Sequence, residues 1–311
     1  GKSNRDVSIP GAESFDAFQA HFSWIFGEQK QGSENNILKR DEWGCLHSIP
    51  KDGAYAYLIK EEPLSDWANH NNYKFPNPAD ADKYFEKIQK SVEPISDRFM
   101  VGYLDPGPFL IAINMRGFEN ILMDIVTDIG KAQFIFDGIV EYQENIIEKW
   151  AALGAHQINF FDEWASHQTM LVPPENWDRY FKPYYRRLFD KIHDLGMYAG
   201  IGLDGATLPI LPGLIEAGLD VFDVRQFHVM GIKNLAKLKV CIKACVDMQT
   251  TLVNGTPDEI EAETGELVDK LGSRSGGYIA LVGRSRAMNY KEESIAAAVK
   301  GFNRFRKPAL I

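Results

Sequence analysis

The fold class follows from the run Gln157-Ile158-Asn159-Phe160-Phe161 and from the residues that come after it. Aromatic and β-branched residues in a run of this length predict a buried β-strand. A polar turn follows, and then an amphipathic segment that begins at Pro174 and ends before Gly196, with apolar residues at helical spacing. Pro183 lies inside this segment and predicts a kink, because proline lacks the amide hydrogen that an α-helix uses.

The same unit of strand, turn and helix recurs toward the C-terminus. Further strand candidates are Tyr198 to Leu203, Asp220 to Val224, Ile242 to Val246 and Tyr278 to Val282. Thr256, Pro257 and Glu259 are an N-cap, a first-turn proline and a capping-box acid for the helix between the last two of them. Successive units of this kind predict parallel strands, since each helix returns the chain to the same end of the sheet.

Upstream, Phe99 to Leu104 is a sixth strand candidate, and helical stretches follow it. Residues 11 to 97 are irregular, and Ala54 to Ile59 resembles the arm of a hairpin. Two further strands near Asp6 to Ile9 and Arg40 to Gly44 would complete eight. The sequence therefore predicts a TIM (β/α)8 barrel with N-terminal irregular and hairpin additions, in a single domain over residues 1–311.

Composition excludes several classes of protein. The 311 residues include 34 Lys and Arg against 43 Asp and Glu, for a net charge of −9, so a nucleic-acid partner is not expected. The sequence contains no apolar run long enough to span a membrane and begins without the apolar core of a signal peptide, which predicts a cytoplasmic protein. The three cysteines, Cys45, Cys241 and Cys245, are expected to be free thiols.

Acidic residues follow nearly every predicted strand. Reactive groups of parallel α/β proteins lie just past the carboxyl ends of the strands, where this sequence has Asp105, Asp162-Glu163-Trp164, Asp204, Asp223 and Asp247. Asp is also a common helix N-cap, so each residue taken singly is explained equally well by capping. A ring of such carboxylates would instead suit general acid and base chemistry or the binding of a cation.

Other side chains near these strand ends have two readings each. Gly200-Ile201-Gly202-Leu203-Asp204-Gly205 matches a dinucleotide-binding pattern, but a glycine-rich loop that leaves room for a ligand explains it better. His167 is either a proton shuttle or an exposed polar residue. Two readings also apply to a further set of side chains, Asn114, Arg116, Arg225 and Arg284. The set binds the carboxylates of an acidic ligand, or its arginines form salt bridges to the acidic ring.

Longer motifs carry a family resemblance. Three stretches carry it: Phe161-Asp162-Glu163-Trp164-Ala165-Ser166, Pro174-Glu175 and Phe181-Lys182-Pro183-Tyr184. They resemble the centre of the uroporphyrinogen decarboxylase superfamily, in which an Asp-Asp-Trp-Gly-like corner precedes a Ser-Pro-Glu helix. The resemblance extends to Gly255-Thr256-Pro257-Asp258-Glu259-Ile260 and back to Arg40-Asp41-Glu42-Trp43-Gly44. It covers roughly residues 40 to 305 and independently implies a TIM-type barrel.

The superfamily contains decarboxylases that act on a tetrapyrrole without a cofactor, and corrinoid-linked methyltransferases. Asp41-Glu42-Trp43-Gly44 and Asp162-Glu163-Trp164 look like the methyltransferase branch, and the Arg-Gln-Ala-Gly-Arg segment of the decarboxylases is absent. Thiol-alkylating members of that branch hold zinc with His-x-Cys and a further Cys. The matching positions here read Gly202-Leu203-Asp204 and Gly283-Arg284, so no zinc ligands are expected.

The resemblance thus favours methyl transfer between a small O- or N-methyl compound and a corrinoid, without thiolate-bound zinc. The expected catalytic residues are Asp204, Glu163, His167 and Asp162, and the expected substrate-binding residues are Asp105, Asn114, Arg116, Trp164, Arg225, His228, Asp247, Gln249 and Arg284. We expect no tightly bound cofactor and no protein-bound metal, although Asp204, Asp162 and Glu163 could also hold a hard cation.

Partners and rival functions complete these expectations. A partner protein would supply the corrinoid, the substrate would be a small molecule, and the chain would form a homodimer. One rival is a decarboxylase or other lyase of a carboxylated, tetrapyrrole-like substrate. The other is a non-catalytic barrel that binds a ligand, since a lost metal site is also what a former enzyme would show.

Overall fold

Two β-sheets organise the part of the chain that the structure describes. The structure is a computed structural model and describes residues 17–22, 27, 29–31, 35–51, 58–92, 98–224, 226–272, 277–282 and 290–305. The strands are β1 (Ala17–Phe22), β2 (Gln29–Gln31), β3 (Asn36–Arg40), β4 (Leu46–Pro50), β5 (Leu58–Glu61), β6 (Phe99–Leu104), β7 (Gln157–Asp162), β8 (Tyr198–Leu203), β9 (Val221–Val224), β10 (Cys241–Ala244) and β11 (Tyr278–Ala280).

Helices connect the later strands. They are α1 (Asp82–Val92), α2 (Pro108–Arg116), α3 (Phe118–Thr127), α4 (Ile129–Ala152), α5 (Pro174–Tyr180), α6 (Lys182–Asp194), α7 (Leu211–Glu216), α8 (Phe227–Met230), α9 (Ile232–Leu235), α10 (Thr251–Asn254), α11 (Pro257–Gly272) and α12 (Glu292–Phe305). No helix in the described ranges is both long and apolar enough to cross a membrane. Cys45, Cys241 and Cys245 are thiols rather than halves of disulfides, as the sequence predicts.

The larger sheet is parallel and follows the order of the chain. Its seven strands are arranged β1-β6-β7-β8-β9-β10-β11, and every pairing is parallel. The predicted strands from Phe99 onward are therefore confirmed, with ends that differ by a few residues. Strands that follow one another in sequence also pair in space because a helical crossover returns the chain to the adjacent position.

This sheet curls around an interior. Tyr103 lies on β6 and Lys243 on β10, four positions apart in the strand order. In a flat sheet roughly 19 Å would separate these strands, at about 4.8 Å for each neighbour. Nζ of Lys243 nevertheless lies 2.5 Å from the hydroxyl oxygen of Tyr103. The curled parallel sheet agrees with the predicted α/β fold, and closure into a full barrel stays a prediction, since no pairing joins β1 to β11 within the described residues.

The N-terminal part corrects two expectations. Arg40 to Gly44 is not a barrel strand, because β3 ends at Arg40 and belongs to an antiparallel sheet with the order β2-β3-β4-β5. Asp41 and Gly44 then form a turn, in which the Gly44 amide donates to the Asp41 carbonyl and Gly44 has a φ of 87°. The parallel sheet instead begins with β1, whereas Asp6 to Ile9 lies outside the described residues.

The other local predictions are confirmed where the structure describes them. Leu58 and Ile59 pair antiparallel with β4, as expected of a hairpin arm, and residues 54–57 lie outside the description. Pro183 stands in the first turn of α6, and Phe181 separates that helix from α5. The capping box at the start of α11 is formed, since the Thr256 amide donates to Glu259 at 2.8 Å and the Glu259 amide donates to Thr256 at 3.3 Å.

Candidate functional site

Three carboxylates stand directly after three neighbouring strands. Asp105 follows β6, Glu163 follows β7 and Asp204 follows β8, and these strands are adjacent in the curled sheet. Because the strands are parallel, their carboxyl ends meet at one edge, where reactive groups of such folds lie. We call Asp105, Glu163 and Asp204 the acidic rim.

The acidic rim changes the proton affinity of its central member. Partial burial, and then the charges of Asp204 and Asp105, raise the pKa of Glu163 above its ordinary value. Each effect disfavours a further negative charge. The side chain of Glu163 still reaches solvent. Glu163 is therefore placed to carry a proton and to exchange it with water, which is what a general acid requires.

Contacts between two loops hold the acidic rim in place. The Ala206 amide donates to the Ser166 carbonyl at 2.9 Å, and the Gly205 amide donates to Oε1 of Gln226 at 3.2 Å. Gly205 has a φ of 76°, and a Cβ atom there would lie 2.4 Å from the Ser166 carbonyl oxygen. Only glycine fits this approach. The loop after β7, which carries His167, is thereby fastened to the loop that follows Asp204, and His167 itself is exposed.

Asp162 faces the helices, away from the acidic rim. Its carboxylate accepts the amides of Phe109 and Leu110 at 3.0 and 2.9 Å, the amide of Glu163 at 3.0 Å and the Tyr185 hydroxyl at 2.6 Å. A carboxylate at a helix N-terminus satisfies amides that have no partner within the helix, here those of α2. Burial nevertheless raises the pKa of Asp162 to about 6. These contacts join β7, α2 and α6, and the expected catalytic role of Asp162 stays a prediction.

Trp164 belongs to the core as well. Its ring stacks on Phe109 with centroids 3.8 Å apart, and its indole N–H donates to the Tyr185 hydroxyl at 2.6 Å. The residue is fully buried, so a contact with substrate, as the sequence suggests, would require the core to open. Trp164 and Asp162 share Tyr185 as a partner, and this shared contact fixes the start of the loop that carries Glu163.

Two predicted ligand-binding residues on α2 also serve the fold. Nε and Nη2 of Arg116 donate to Asp124 at 2.6 and 3.3 Å, and Nη1 donates to the carbonyls of Leu64 and Ser65 at 2.7 Å each. These contacts leave the buried guanidinium committed to α3 and to the N-terminal segment. Asn114 is buried nearby, and its carbonyl accepts the thiol of Cys45 at 3.3 Å. The structure does not bring either residue to the acidic rim.

Asp247, which follows β10, is chiefly a local cap. Its Oδ1 accepts the amides of Gln249 and Thr250 at 2.9 and 2.7 Å and the Thr250 hydroxyl at 2.8 Å. Its Oδ2 lies 3.8 Å from Nε2 of His228, a half-exposed side chain. His228 and Gln249 thus reach solvent beside a buried carboxylate. Arg225 and Arg284, which were expected to bind an anion, lie outside the described residues.

Comparison with known proteins places the chain in a family. The family described as uroporphyrinogen decarboxylase (URO-D) matches residues 44–305. The chain belongs to the uroporphyrinogen decarboxylase family. This match confirms the resemblance drawn from the motifs, and it covers both the β4 and β5 strands and the parallel sheet from β6 onward.

Two similar proteins come from Methanosarcina mazei. A methylated-thiol–coenzyme M methyltransferase is 26% identical over 161 residues, which are 52% of this chain and 42% of that protein. A methylcobamide:CoM methyltransferase is 25% identical over 200 residues, 58% of this chain and 54% of that protein. The chain thus aligns with about half the length of these relatives. A solved methyltransferase structure from the same organism has a TM-score of 0.64 at 17% identity, over 85% of this chain and 76% of that one, and supports the fold.

The zinc site of thiol-alkylating relatives does not fit the residues present in this family member. Gly202, Leu203 and Asp204 stand where His-x-Cys would be expected, and Gly283-Arg284 offers neither thiolate nor imidazole. Within the described ranges, no three His, Cys, Asp or Glu side chains lie together as a metal site would need. A hard cation between Asp204, Asp162 and Glu163 is not supported either, because Asp162 faces the helices.

Tyr103 and Lys243 were not among the functional residues predicted from the sequence. They meet Asp223 inside the curled sheet, and all three side chains are buried. A usable signal was present in Cys241-Ile242-Lys243-Ala244-Cys245-Val246, where a lysine interrupts an otherwise apolar strand. A charge inside a buried parallel strand departs from the usual apolar pattern and marks a side chain with a specific partner.

Proposed function

We propose that this protein transfers a methyl group between a small O- or N-methyl compound and a corrinoid that a partner protein carries. One observation carries the proposal: in a chain whose similar proteins are named as methyltransferases, Asp204 stands where the resemblance expects a zinc-binding cysteine, and its charge acts on Glu163 beside it. The names of two relatives, with coenzyme M and methylcobamide in them, describe those proteins. They support methyl transfer as the reaction class for this one.

The acidic rim supplies what such a transfer needs from the protein. When a methyl group leaves oxygen or nitrogen, the C–O or C–N bond breaks and the remaining atom must receive a proton. The reduced cobalt of a corrinoid accepts the methyl group and is a substrate here. Glu163, whose pKa is raised, gives the proton to the leaving atom. Asp204 and Asp105 maintain that raised pKa and orient the leaving group.

His167 is assigned the exchange of protons with solvent. It lies exposed on the loop whose Ser166 carbonyl accepts the Ala206 amide, four residues after Glu163. An imidazole can both accept and donate a proton, so His167 can return a proton to Glu163 after each transfer. Among the residues that the structure describes, His228 and Gln249, both near Asp247, are the candidates for contacts with the polar part of a substrate.

The experiment is a methyl-transfer assay with free cob(I)alamin under anaerobic conditions. Panels of N-methyl amines and methoxy compounds are offered, and the formation of methylcobalamin is followed by its absorbance. We expect transfer from at least one compound and a rate about 10²-fold lower in Glu163→Gln, the loss typical of removing a general acid. Glu148→Gln is the matched control, since Glu148 pairs with Lys191 on the outer face of α4.

Two outcomes would overturn the proposal. Equal rates for Glu163→Gln and wild type would remove the proton donor from the mechanism. Corrinoid-independent release of CO₂ from a carboxylated substrate, with no methylcobalamin formed from any compound, would establish the carboxy-lyase alternative.

A further inference from the structure

A lysine inside the curled sheet has no place in the proposed methyl transfer. Lys243 lies near the middle of β10 and is 4% exposed, and Asp223 on β9 is 1% exposed. The interior of a β/α barrel is normally filled with branched apolar side chains. A buried ion pair is at best weakly stabilising compared with such packing. The pair therefore calls for an explanation other than stability.

Lys243, Asp223 and Tyr103 form a connected cluster that we call the interior trio. Nζ of Lys243 lies 2.8 Å from Oδ2 of Asp223 and 2.5 Å from the Tyr103 hydroxyl, which also lies 3.2 Å from the same Asp223 oxygen. Three strands, β6, β9 and β10, thus direct an amine, a phenol and a carboxylate to one point. Oδ1 of Asp223 is buried and has no hydrogen-bond partner within the described part of the chain. That oxygen is available to a ligand.

The interior trio lies just below the acidic rim. Asp223 pairs with Gly202, and Asp204 stands two residues further along the same strand direction. At about 3.3 Å per residue, Asp223 and Asp204 are separated by roughly 7 Å along the strand direction, which is the length of a small molecule. Gly202 has no side chain, so β8 puts nothing beside Asp223 at this level. Lys243 pairs with Asp223 in the sheet and so lies at the same depth.

The charge of the interior trio selects the kind of ligand. The ammonium of Lys243 is balanced by Asp223, and an anion placed there would face the buried carboxylate. A neutral polar group is accommodated better, with a hydroxyl donating to Oδ1 of Asp223. A primary amine beside a carboxylate and a phenol is also the set of groups that converts a carbonyl compound into an imine.

We propose that Lys243 forms an imine with a small neutral aldehyde or ketone bearing a hydroxyl group. The ammonium gives a proton to Asp223, and the neutral amine adds to the carbonyl carbon while the carbonyl oxygen takes the proton of Tyr103. The nitrogen of this adduct gives one proton back to the Tyr103 phenolate, and the adduct's hydroxyl then leaves as water with the proton from Asp223. The product is a protonated imine, whose positive charge pairs with the Asp223 carboxylate. A C–N double bond replaces the C–O double bond, and no redox partner is needed.

This activity goes beyond the proposed methyl transfer and does not depend on it. An imine withdraws electrons from the neighbouring carbon, and the carboxylate of Asp204 stands on the rim side to receive a proton from that carbon. The reaction class is therefore the activation of a C–H bond next to a carbonyl group. No corrinoid takes part, so either activity can be present without the other.

The direct test traps the imine in the wild-type protein. Hydroxyacetone is incubated with the protein, sodium borohydride then reduces any imine to a stable amine, and peptide mass spectrometry locates the added mass. We expect about one adduct per chain, on Lys243, because among the described lysines it is the one buried between a carboxylate and a phenol. The exposed Lys300 and Lys270 in the same sample are internal controls for unselective reaction.

Labelling of Lys243 no greater than that of Lys300 and Lys270 would overturn the proposal and leave the interior trio a structural ion pair. Two variants sharpen the result. Lys243→Arg keeps the cation and its partner but cannot form an imine, so the adduct should be lost completely at an unchanged thermal unfolding temperature. Tyr103→Phe keeps the amine, so labelling should slow but stay on Lys243. If a variant fails to fold, the wild-type trapping result decides alone.

Discussion

Single carboxyl groups in this protein have different roles because of what surrounds them. Glu163 and Asp162 are neighbours in sequence, yet one reaches solvent beside Asp204 and Asp105 while the other is enclosed by amides and a phenol. Both pKa values are raised, in each case mainly by burial. Only Glu163 has room to pass its proton to a ligand.

The pH dependence of methyl transfer should report the proton on Glu163. A general acid works in its protonated form, so the rate should fall as pH rises through the raised pKa. Asp105→Asn removes one of the charges that raise this pKa, and the falling part of the pH–rate profile should move to lower pH. A profile that stays in place, or moves to higher pH, would show that Asp105 does not influence the acid.

Asp162 should make the folded protein less stable as pH rises. Its pKa is about 6 in the folded protein against an ordinary value of 3.8, so folding favours the protonated form. Its contribution is fully present below about pH 4 and is lost as pH rises to about 6, on the order of 3 kcal/mol. Asp162→Asn mimics the protonated acid, so the stability of wild type relative to this variant should decrease between about pH 4 and about pH 7.

Urea unfolding at several pH values measures this difference. The exposed Asp194 provides the control, since Asp194→Asn should give a difference from wild type that changes little with pH. An advantage of wild type over Asp162→Asn that grows with pH would mean that the four hydrogen bonds to Asp162 outweigh its burial.

Arg116 should prove to be a structural residue. Arg116→Met leaves Asp124 buried without its closest cation, and the expected loss of stability is about 3 to 5 kcal/mol. Arg186→Met breaks an exposed pair with Glu216 and should cost less than about 1 kcal/mol. Chemical denaturation compares the two variants. Equal small losses would return Arg116 to the set of candidate ligand-binding residues.

Among the elements, the loop after β8 is the one that positions the acidic rim. Gly205→Ala adds a methyl group 2.4 Å from the Ser166 carbonyl oxygen at a φ of 76°. We expect a loss of about 1 to 3 kcal/mol and a clear loss of methyl transfer, since the loop must move away from Ser166. Gly196→Ala has the same φ with nothing within 4 Å, so it isolates the backbone cost.

Thermal unfolding and the methyl-transfer assay separate the two glycine variants. Gly196→Ala should be mildly destabilised and fully active. Similar activity in both variants would mean that the contact between the two loops does not position Asp204.

The elements that the sequence predicts well are those whose pattern is local. Capping residues specify α11, Pro183 specifies the break before α6, and apolar runs specify the strands from β6 onward. The first strand, β1, was missed because Ala17-Phe18-Gln19-Ala20-His21-Phe22 has few β-branched residues, and it is defined by its pairing with β6. Arg40 to Gly44 was misassigned because pairing partners in the antiparallel sheet are not visible in sequence. The burial of Asp162 and Trp164 against the helices could not be predicted, because the direction of a side chain at a strand end depends on how the helices pack.

At the level of the whole molecule, the curl of the parallel sheet brings distant residues together. It places Tyr103 next to Lys243, 140 residues later in the chain, and it aligns three strand ends into the acidic rim. The order of the strands and the family were predictable because each βα unit repeats one pattern. The interior trio was not, since it depends on how far the sheet curves, which no single unit encodes.

The central claim is that Asp204 and its neighbours on the acidic rim perform the proton chemistry of methyl transfer. The most direct measurement is the single-turnover rate of methylcobalamin formation in Asp204→Asn, with circular dichroism and thermal unfolding to verify the fold. The account predicts a rate lower by about 10²-fold in a protein that folds as wild type does, because Asp204 raises the pKa of Glu163 and orients the leaving group. A folded Asp204→Asn variant that transfers methyl groups at the wild-type rate would contradict it.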